Sequence, residues 1–164
     1  MNDFIISNLE KLKKNKIPNA EIDLRVLLNY SKYSKYSKNE IILSNFDINQ
    51  INIKLFNKIL NRRLSNEPIS KIINKKYFWK DDFYVNKFVL DPRPETEGIV
   101  EESLKLIKNK QSNFKILDVG TGSGAIAISL AREFVNADII AIDISDKAIE
   151  VANKNINNKR LNNQ

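Results

Sequence analysis

Lys115-Ile116-Leu117-Asp118-Val119-Gly120-Thr121-Gly122-Ser123-Gly124-Ala125-Ile126-Ala127 is the stretch on which the reading of this chain turns. Phe114 to Val119 is a short apolar run that reads as a strand, and Ala125 to Phe134 reads as a helix. The whole chain has four glycines, and three of them, Gly120, Gly122 and Gly124, lie between these two elements. Glycine at such a junction allows positive φ and lets a ligand come close to the backbone. The helix after the loop presents unpaired N–H groups suited to a polar or anionic ligand group. A second strand is predicted over Asp138 to Asp143, and then a helix through Ala148, Ile149 and Ala152 with Asp146 as its cap. Strand, loop, helix, strand and helix in this order argue a parallel, doubly wound sheet. Asp143 ends the second strand, where a carboxylate can accept hydrogen bonds from ribose hydroxyls. Loop and acid together point to a ligand containing adenosine; the plainer reading of Asp143 is a helix-capping carboxylate.

Which nucleoside ligand is meant is a separate question. Gly120-x-Gly122-x-x-Ala125 also fits the dinucleotide pattern, so a nicotinamide-dependent oxidoreductase stays open on the loop alone. The acid Asp118 directly before Val119-Gly120, and the alternation of glycines after it, look like the S-adenosylmethionine loop of Rossmann-like methyltransferases. A third reading, of another class, is a non-catalytic module that binds a partner.

Upstream of the loop, Pro94 suits the first turn of a helix, with Glu95 and Glu97 near its positive end and Ile99, Val100, Leu104 and Ile107 along it. Tyr77-Phe78-Trp79 and Phe83-Tyr84-Val85, separated by Lys80-Asp81-Asp82, carry a hairpin signal, which Phe88-Val89-Leu90 extends. The aromatics are read as hairpin core. Before them the pattern is helical: Phe4, Ile5, Leu9 and Leu12 on one face behind Asn2 or Asp3, then Ala20, Leu24, Leu27 and Leu28 after a break at Pro18-Asn19. Lys32 to Lys38 reads as a loop, and Asn39 or Asn49 as a cap for the next helices. Ile51, Leu55, Phe56, Ile59 and Leu60 form the clearest apolar stripe, closed by Arg62-Arg63 at the negative end of that helix. The expected organisation is an all-α helical bundle over 1–75, a β-hairpin linker over 76–91, and the start of a Rossmann-like α/β domain over 92–164.

Composition narrows the chemistry. With neither Cys nor His, thiolate and imidazole ligands, a Cys nucleophile and a Ser-His-Asp triad are excluded, and no metal site is assigned. What remains is carboxylate or Lys chemistry, or the positioning of a reactive cofactor. The net charge of +7 is uneven: residues 1–80 hold 16 basic against 7 acidic side chains, residues 81–164 hold 11 against 13. The basic first half suits an acidic partner or a merely solvated surface. Its lysines are scattered and no base-reading motif is present, which argues against direct nucleic-acid binding. The first residues lack the pattern of a secretory signal and no apolar run reaches the length of a membrane span, so a cytoplasmic protein is expected.

Taken in order, Arg62-Arg63, Glu67-Pro68-Ile69-Ser70, Phe78-Trp79, Asp91-Pro92-Arg93-Pro94-Glu95-Thr96-Glu97 and the loop from Asp118 to Ala127 resemble one family, the N5-glutamine methyltransferases of peptide chain release factors. The resemblance runs from Ala20 to about Ala152. It implies a helical N-terminal domain that recognises substrate, a linking hairpin and an S-adenosylmethionine-dependent methyltransferase domain. The implied reaction moves the cofactor's methyl to the side-chain amide of the Gln in a release factor's Gly-Gly-Gln motif. It also implies that Gly120, Thr121, Gly122, Ser123 and Gly124 cradle the cofactor, that Asp143 holds its ribose and Asp118 supports the loop. Arg93, Pro94, Glu95, Thr96 and Glu97 would border the methionine end. The family holds the acceptor amide with an Asn-Pro-Pro-Tyr motif. The four prolines here are Pro18, Pro68, Pro92 and Pro94, so these 164 residues do not contain it and no catalytic residue is assigned. Asn74 stands where the family commonly has Gly; Asn tolerates positive φ.

Overall fold

The computed structural model describes residues 3–34 and 41–159. Asn2, the stretch Lys35 to Lys38 and Asn39, expected as cap, loop and cap, lie outside the described residues. The chain divides into two compact units, Met1–Ile73 and Asn74–Gln164.

The first unit is helical. α1 (Asp3–Lys14), α2 (Ala20–Tyr30) and α3 (Ile53–Leu64) each bury one stripe, and the short α4 (Ile69–Ile73) adds Ile72. Ile5, Leu12, Leu24, Leu27, Leu28 and Phe56 are fully buried in a shared core. The Phe56 ring sits 5.3 Å from that of Phe4. Asn52, not Asn49, caps α3: its Oδ1 accepts from the Leu55 N–H at 3.0 Å. Asn49 is instead held in a 3-10 turn, Ile48–Gln50, whose cap is Asp47. Arg63 does more than face the helix dipole. Its Nε donates to Asp23 at 2.7 Å, joining α3 to α2 in a largely desolvated ion pair.

Among the described residues the second unit has two separate two-stranded sheets. β1 (Lys75–Phe78) and β2 (Asp81–Tyr84) pair antiparallel around the two-residue turn Trp79-Lys80. Trp79 adopts φ of 57°, an uncommon conformation for a bulky residue. Two carboxylates hold it: Glu97 accepts from its N–H at 3.0 Å and Glu133 from its indole Nε1 at 2.9 Å. Asn74, at φ of 54°, makes the turn expected of it. Phe88-Val89-Leu90 does not extend the hairpin. Asn86 Oδ1 accepts from the Phe88 N–H at 2.9 Å, and that side-chain turn bends the chain away from β2. Phe78 and Phe83 of the hairpin are fully buried with Val100, Ile128 and Phe134, so the stretch expected as a linker contributes to this unit's core.

α5 (Glu97–Leu106) comes after a 3-10 turn that Pro94 opens, and Ile107 is its cap rather than its last turn. β3 (Lys115–Val119) and β4 (Asp138–Ile142) pair in parallel, Lys115 opposite Asp138 and Val119 opposite Ile142. α6 (Ala125–Glu133) connects them, and α7 (Asp146–Lys159) comes after β4. Asp146 is the first residue of α7; the capping side chain is Ser145, whose Oγ accepts from the Ala148 N–H at 3.3 Å.

Candidate functional site

The glycine loop leaves β3 at the carboxyl end of the parallel pair and enters α6 directly. Gly120, Gly122 and Gly124 have φ of 79°, 56° and 77°, so each needs the backbone freedom that glycine alone has at no cost. The loop is pinned from below. The N–H groups of Gly120 and Thr121 both donate to the Ile142 carbonyl, at 2.8 and 2.9 Å, and Gly124 N–H donates to Thr121 O at 2.9 Å.

Two carboxylates complete the frame. Thr121 Oγ1 donates to Asp118 Oδ2 at 2.7 Å, so Asp118 supports the loop through a buried hydroxyl. Asp143 Oδ2 accepts from the Gly122 N–H at 2.9 Å, and its Oδ1 from the Ser145 N–H at 2.9 Å. Those donors, Ser145 first and Gly122 next, hold the Asp143 carboxyl below its usual range, so it stays ionised at neutral pH. Asp143 thus braces the loop and turns the chain into α7, two contacts that the reading of it as a ribose acceptor did not foresee. Its oxygens retain further lone pairs for hydroxyl donors.

Above the loop lies a hollow of about 170 Å³ lined by Phe78, Leu90, Asp91, Pro92, Arg93, Thr96 and Gly120 through Ser123, closed by Ala125 and Ile126. A Cβ built on Gly120 or Gly122 would meet nothing within 4 Å, so the backbone there faces open space. The hollow is smaller than the roughly 300–1,000 Å³ of a typical small-molecule pocket, enough to wall one part of a nucleoside ligand. A larger hollow of about 790 Å³ lies in the first unit between Ile22, Arg25, Tyr30 and Ile73, without a grouping of reactive side chains. Of the five residues Arg93 to Glu97, Arg93 and Thr96 reach the 170 Å³ hollow. Pro94 opens the 3-10 turn, Glu95 is exposed, and Glu97 turns away to hold Trp79. Among the described residues no group of three or more carboxylates is placed to hold a metal ion. No helix among them is long and apolar enough to cross a membrane.

One side chain behind the loop escaped the sequence reading. Asn155, 1% exposed, lies in the apolar stripe of α7 with Ala148, Val151 and Ala152. Its Nδ2 donates to Ser123 O at 2.8 Å and to Tyr84 O at 2.9 Å, and its Oδ1 accepts from Tyr84 N–H at 2.7 Å. A polar residue at a position where the helical spacing demands an apolar one was the available signal.

Known proteins bear on the same residues. The family described as "Methyltransferase domain" matches residues 110–164. The release factor glutamine methyltransferase of Buchnera aphidicola subsp. Baizongia pistaciae is 41% identical over 154 residues, 93% of this chain and 54% of the relative. That of Caulobacter vibrioides is 38% identical over 93% of this chain and 52% of the relative. The bifunctional methyltransferase of Rickettsia felis is 37% identical over 89% of this chain and 32% of the relative. Residues 110–164 thus match a methyltransferase domain, the chain as a whole is similar to release factor glutamine methyltransferases, and it spans about half the length of those two relatives.

Proposed function

We propose that this chain carries the cofactor-binding part of an S-adenosylmethionine-dependent methyltransferase, acting on the side-chain amide of the Gln in the Gly-Gly-Gln motif of peptide chain release factors. The observation that supports it best is the loop itself: three positive-φ glycines, framed by Asp118 and Asp143 at the end of a parallel strand pair, with open space above them. The relatives named for this activity support the same reading.

In this reading Gly120 to Gly124 cradle the cofactor, with the first N–H groups of α6 directed at its polar portion. Asp143 accepts from the ribose hydroxyls with the lone pairs that Gly122 and Ser145 leave available. Asp118 keeps Thr121, and through it the loop, in place. Arg93 and Thr96 border the remaining part of the ligand with Asp91 and Pro92. Bound there, S-adenosylmethionine supplies a methyl on a sulfonium centre for transfer to the amide nitrogen, which gives up a proton to solvent. A neutral amide is a weak nucleophile, so orientation carries most of the task, in keeping with a chain that has neither His nor Cys. The helical stretch 1–75 serves as the substrate-recognition domain, its basic surface facing an acidic release factor in the cytoplasm. The stretch 76–91, whose hairpin strands pack into the core of the second unit, stands with 92–164 in the methyltransferase part.

Titration calorimetry tests the ligand. The chain should bind S-adenosylmethionine and its demethylated product, and NAD much more weakly. Gly122→Val should abolish that binding, since a β-branched side chain cannot adopt its φ of 56° without strain. Preference for NAD, or unchanged binding in the variant, removes the loop from the proposed site. The 164 residues alone are expected to bind cofactor without methylating a release factor, because the Asn-Pro-Pro-Tyr motif is not among them.

A further inference from the structure

The Ser123–Gly124 peptide is gripped from both sides. Its N–H, on Gly124, donates to Thr121 O at 2.9 Å within the loop. Its C=O, on Ser123, accepts from Asn155 Nδ2 at 2.8 Å. A peptide plane fixed at both ends cannot rotate, and this is the plane that sets where α6 begins. Asn155 reaches it because α7 comes unusually close. A Cβ on Gly124 would stand 3.3 Å from the Cβ of Ala152, one helical turn before Asn155. Small residues at 124 and 152 therefore bring the asparagine's amide to the back of the loop.

The same amide holds Tyr84 at both backbone atoms, as a neighbouring strand would. The Tyr84 N–H can only donate, which settles the amide's orientation: oxygen toward that N–H, nitrogen toward the two carbonyls. The contact to Ser123 O is buried and the two to Tyr84 are partly so, and a buried carbonyl left without a donor is costly. Asn155 thus ties the end of the hairpin and the glycine loop to one point on α7.

We propose that Asn155 is the positioning residue of the glycine loop: it locks the Ser123–Gly124 peptide in its ligand-ready orientation and thereby sets the affinity for the nucleoside cofactor. The consequence for affinity rests on the proposed function; the lock itself does not. A loop already in its bound conformation loses little freedom on binding, and releasing it weakens affinity without removing any direct ligand contact.

Asn155→Asp is nearly isosteric and keeps the acceptor for Tyr84 N–H but replaces the donor with a group that repels both carbonyls. Asn155→Gln, which retains the amide one methylene further out, serves if the aspartate variant does not fold. Lys159→Ala is the comparison: it loosens the same helix from the hairpin, where Lys159 pairs with Asp81 at 3.0 Å, without touching the loop. S-Adenosylhomocysteine affinity by calorimetry and amide exchange at Gly124 by NMR are read below the melting transition of each variant. The expected result is a loss of affinity of about tenfold or more in Asn155→Asp, less in Asn155→Gln, with Lys159→Ala within about twofold of the parent. Gly124 exchange should accelerate in the Asn155 variants only. Parent-like affinity and parent-like exchange in Asn155→Asp would overturn the proposal, as would an equal loss in Lys159→Ala. If the parent binds no S-adenosylhomocysteine, the cofactor reading falls, and the Gly124 exchange still decides whether Asn155 locks the loop.

Discussion

The two units bury apolar surface in different ways. In the first, α1, α2 and α3 each turn one stripe inward and meet around Phe56, so every large core side chain has neighbours on all sides. In the second, the strand pair β3–β4 has one face against α6 and the core of Phe78, Phe83 and Phe134, while among the described residues the other stays bare. On that bare face Leu117 is 60% exposed, Val119 70%, Ile140 50% and Ile142 46%. Parallel sheets ordinarily carry cover on both faces. The contrast teaches that a helix stripe can be closed by its sequence neighbours, whereas a parallel strand depends on elements from two sides.

The largest expected effect is in the closed core. Phe56→Ala should cost about 3–5 kcal/mol, the usual range for deleting a buried ring, and should unfold the helical unit selectively. Native-state hydrogen exchange would register this as lost protection in α1 to α3 with β3 and α6 unchanged. Loss of protection in both units together would mean that their stabilities are coupled.

Next comes an electrostatic lock in the second unit. Glu133 accepts from Trp79 Nε1 and pairs with Lys80 and Lys110, joining the hairpin turn to the end of α6. Lys80 first, then the Trp79 indole, hold its carboxyl down from 4.5 to about 2. A carboxyl depressed on folding stabilises the fold fully above its unfolded pKa and loses that contribution as pH falls through the folded value. Glu133→Gln should therefore cost about 1–3 kcal/mol at neutral pH. The gap to the parent should narrow between pH 4.5 and 2 in urea unfolding series. A gap that does not change with pH would assign the effect to packing of the side chain, not its charge.

The same contrast explains what could be read beforehand. Periodicity located the helices of the first unit and the strand–loop–helix–strand order of the second, because those patterns are local. The resemblance to a family, and not a local pattern, singled out Asn74, which has φ of 54°, and Asp118, which accepts from Thr121 Oγ1. Caps slipped by one to three residues, Asn52 for Asn49 and Ser145 for Asp146, since several Asn, Asp and Ser candidates stand in a row and only geometry selects among them. Phe88 to Leu90 has strand composition, and an Asn86 side-chain bond overrode it. The helical spacing could have marked Asn155 as a polar residue in an apolar stripe, but not its partners, Ser123 and Tyr84, which lie 32 and 71 residues away. The clamp on Trp79 by Glu97 and Glu133 spans 18 and 54 residues and was hidden for the same reason.

The smallest expected effect lies on the bare face, and it is the sharpest test of the comparison. Leu117→Thr exchanges a large apolar side chain for a β-branched one that suits a strand, at a position already 60% in water. Little apolar area is at stake, so the change in stability should stay within about 0.5 kcal/mol, as for surface substitutions in general. Ile116, the preceding residue, points to the opposite face and packs against the unit's core, so the same change there should cost more. Solubility should move the other way. A patch of four aliphatic side chains beside open strand edges favours association between chains, and a polar residue in its middle weakens that tendency. Urea unfolding of both variants, with sedimentation over a range of concentrations, separates the two effects. A parent chain that self-associates and a Leu117→Thr variant that does not would confirm that the face is bare in the monomer. A cost of about 2 kcal/mol or more for Leu117→Thr at concentrations where the parent is monomeric would mean that the face is covered after all, and the distinction between the two units would fall with it.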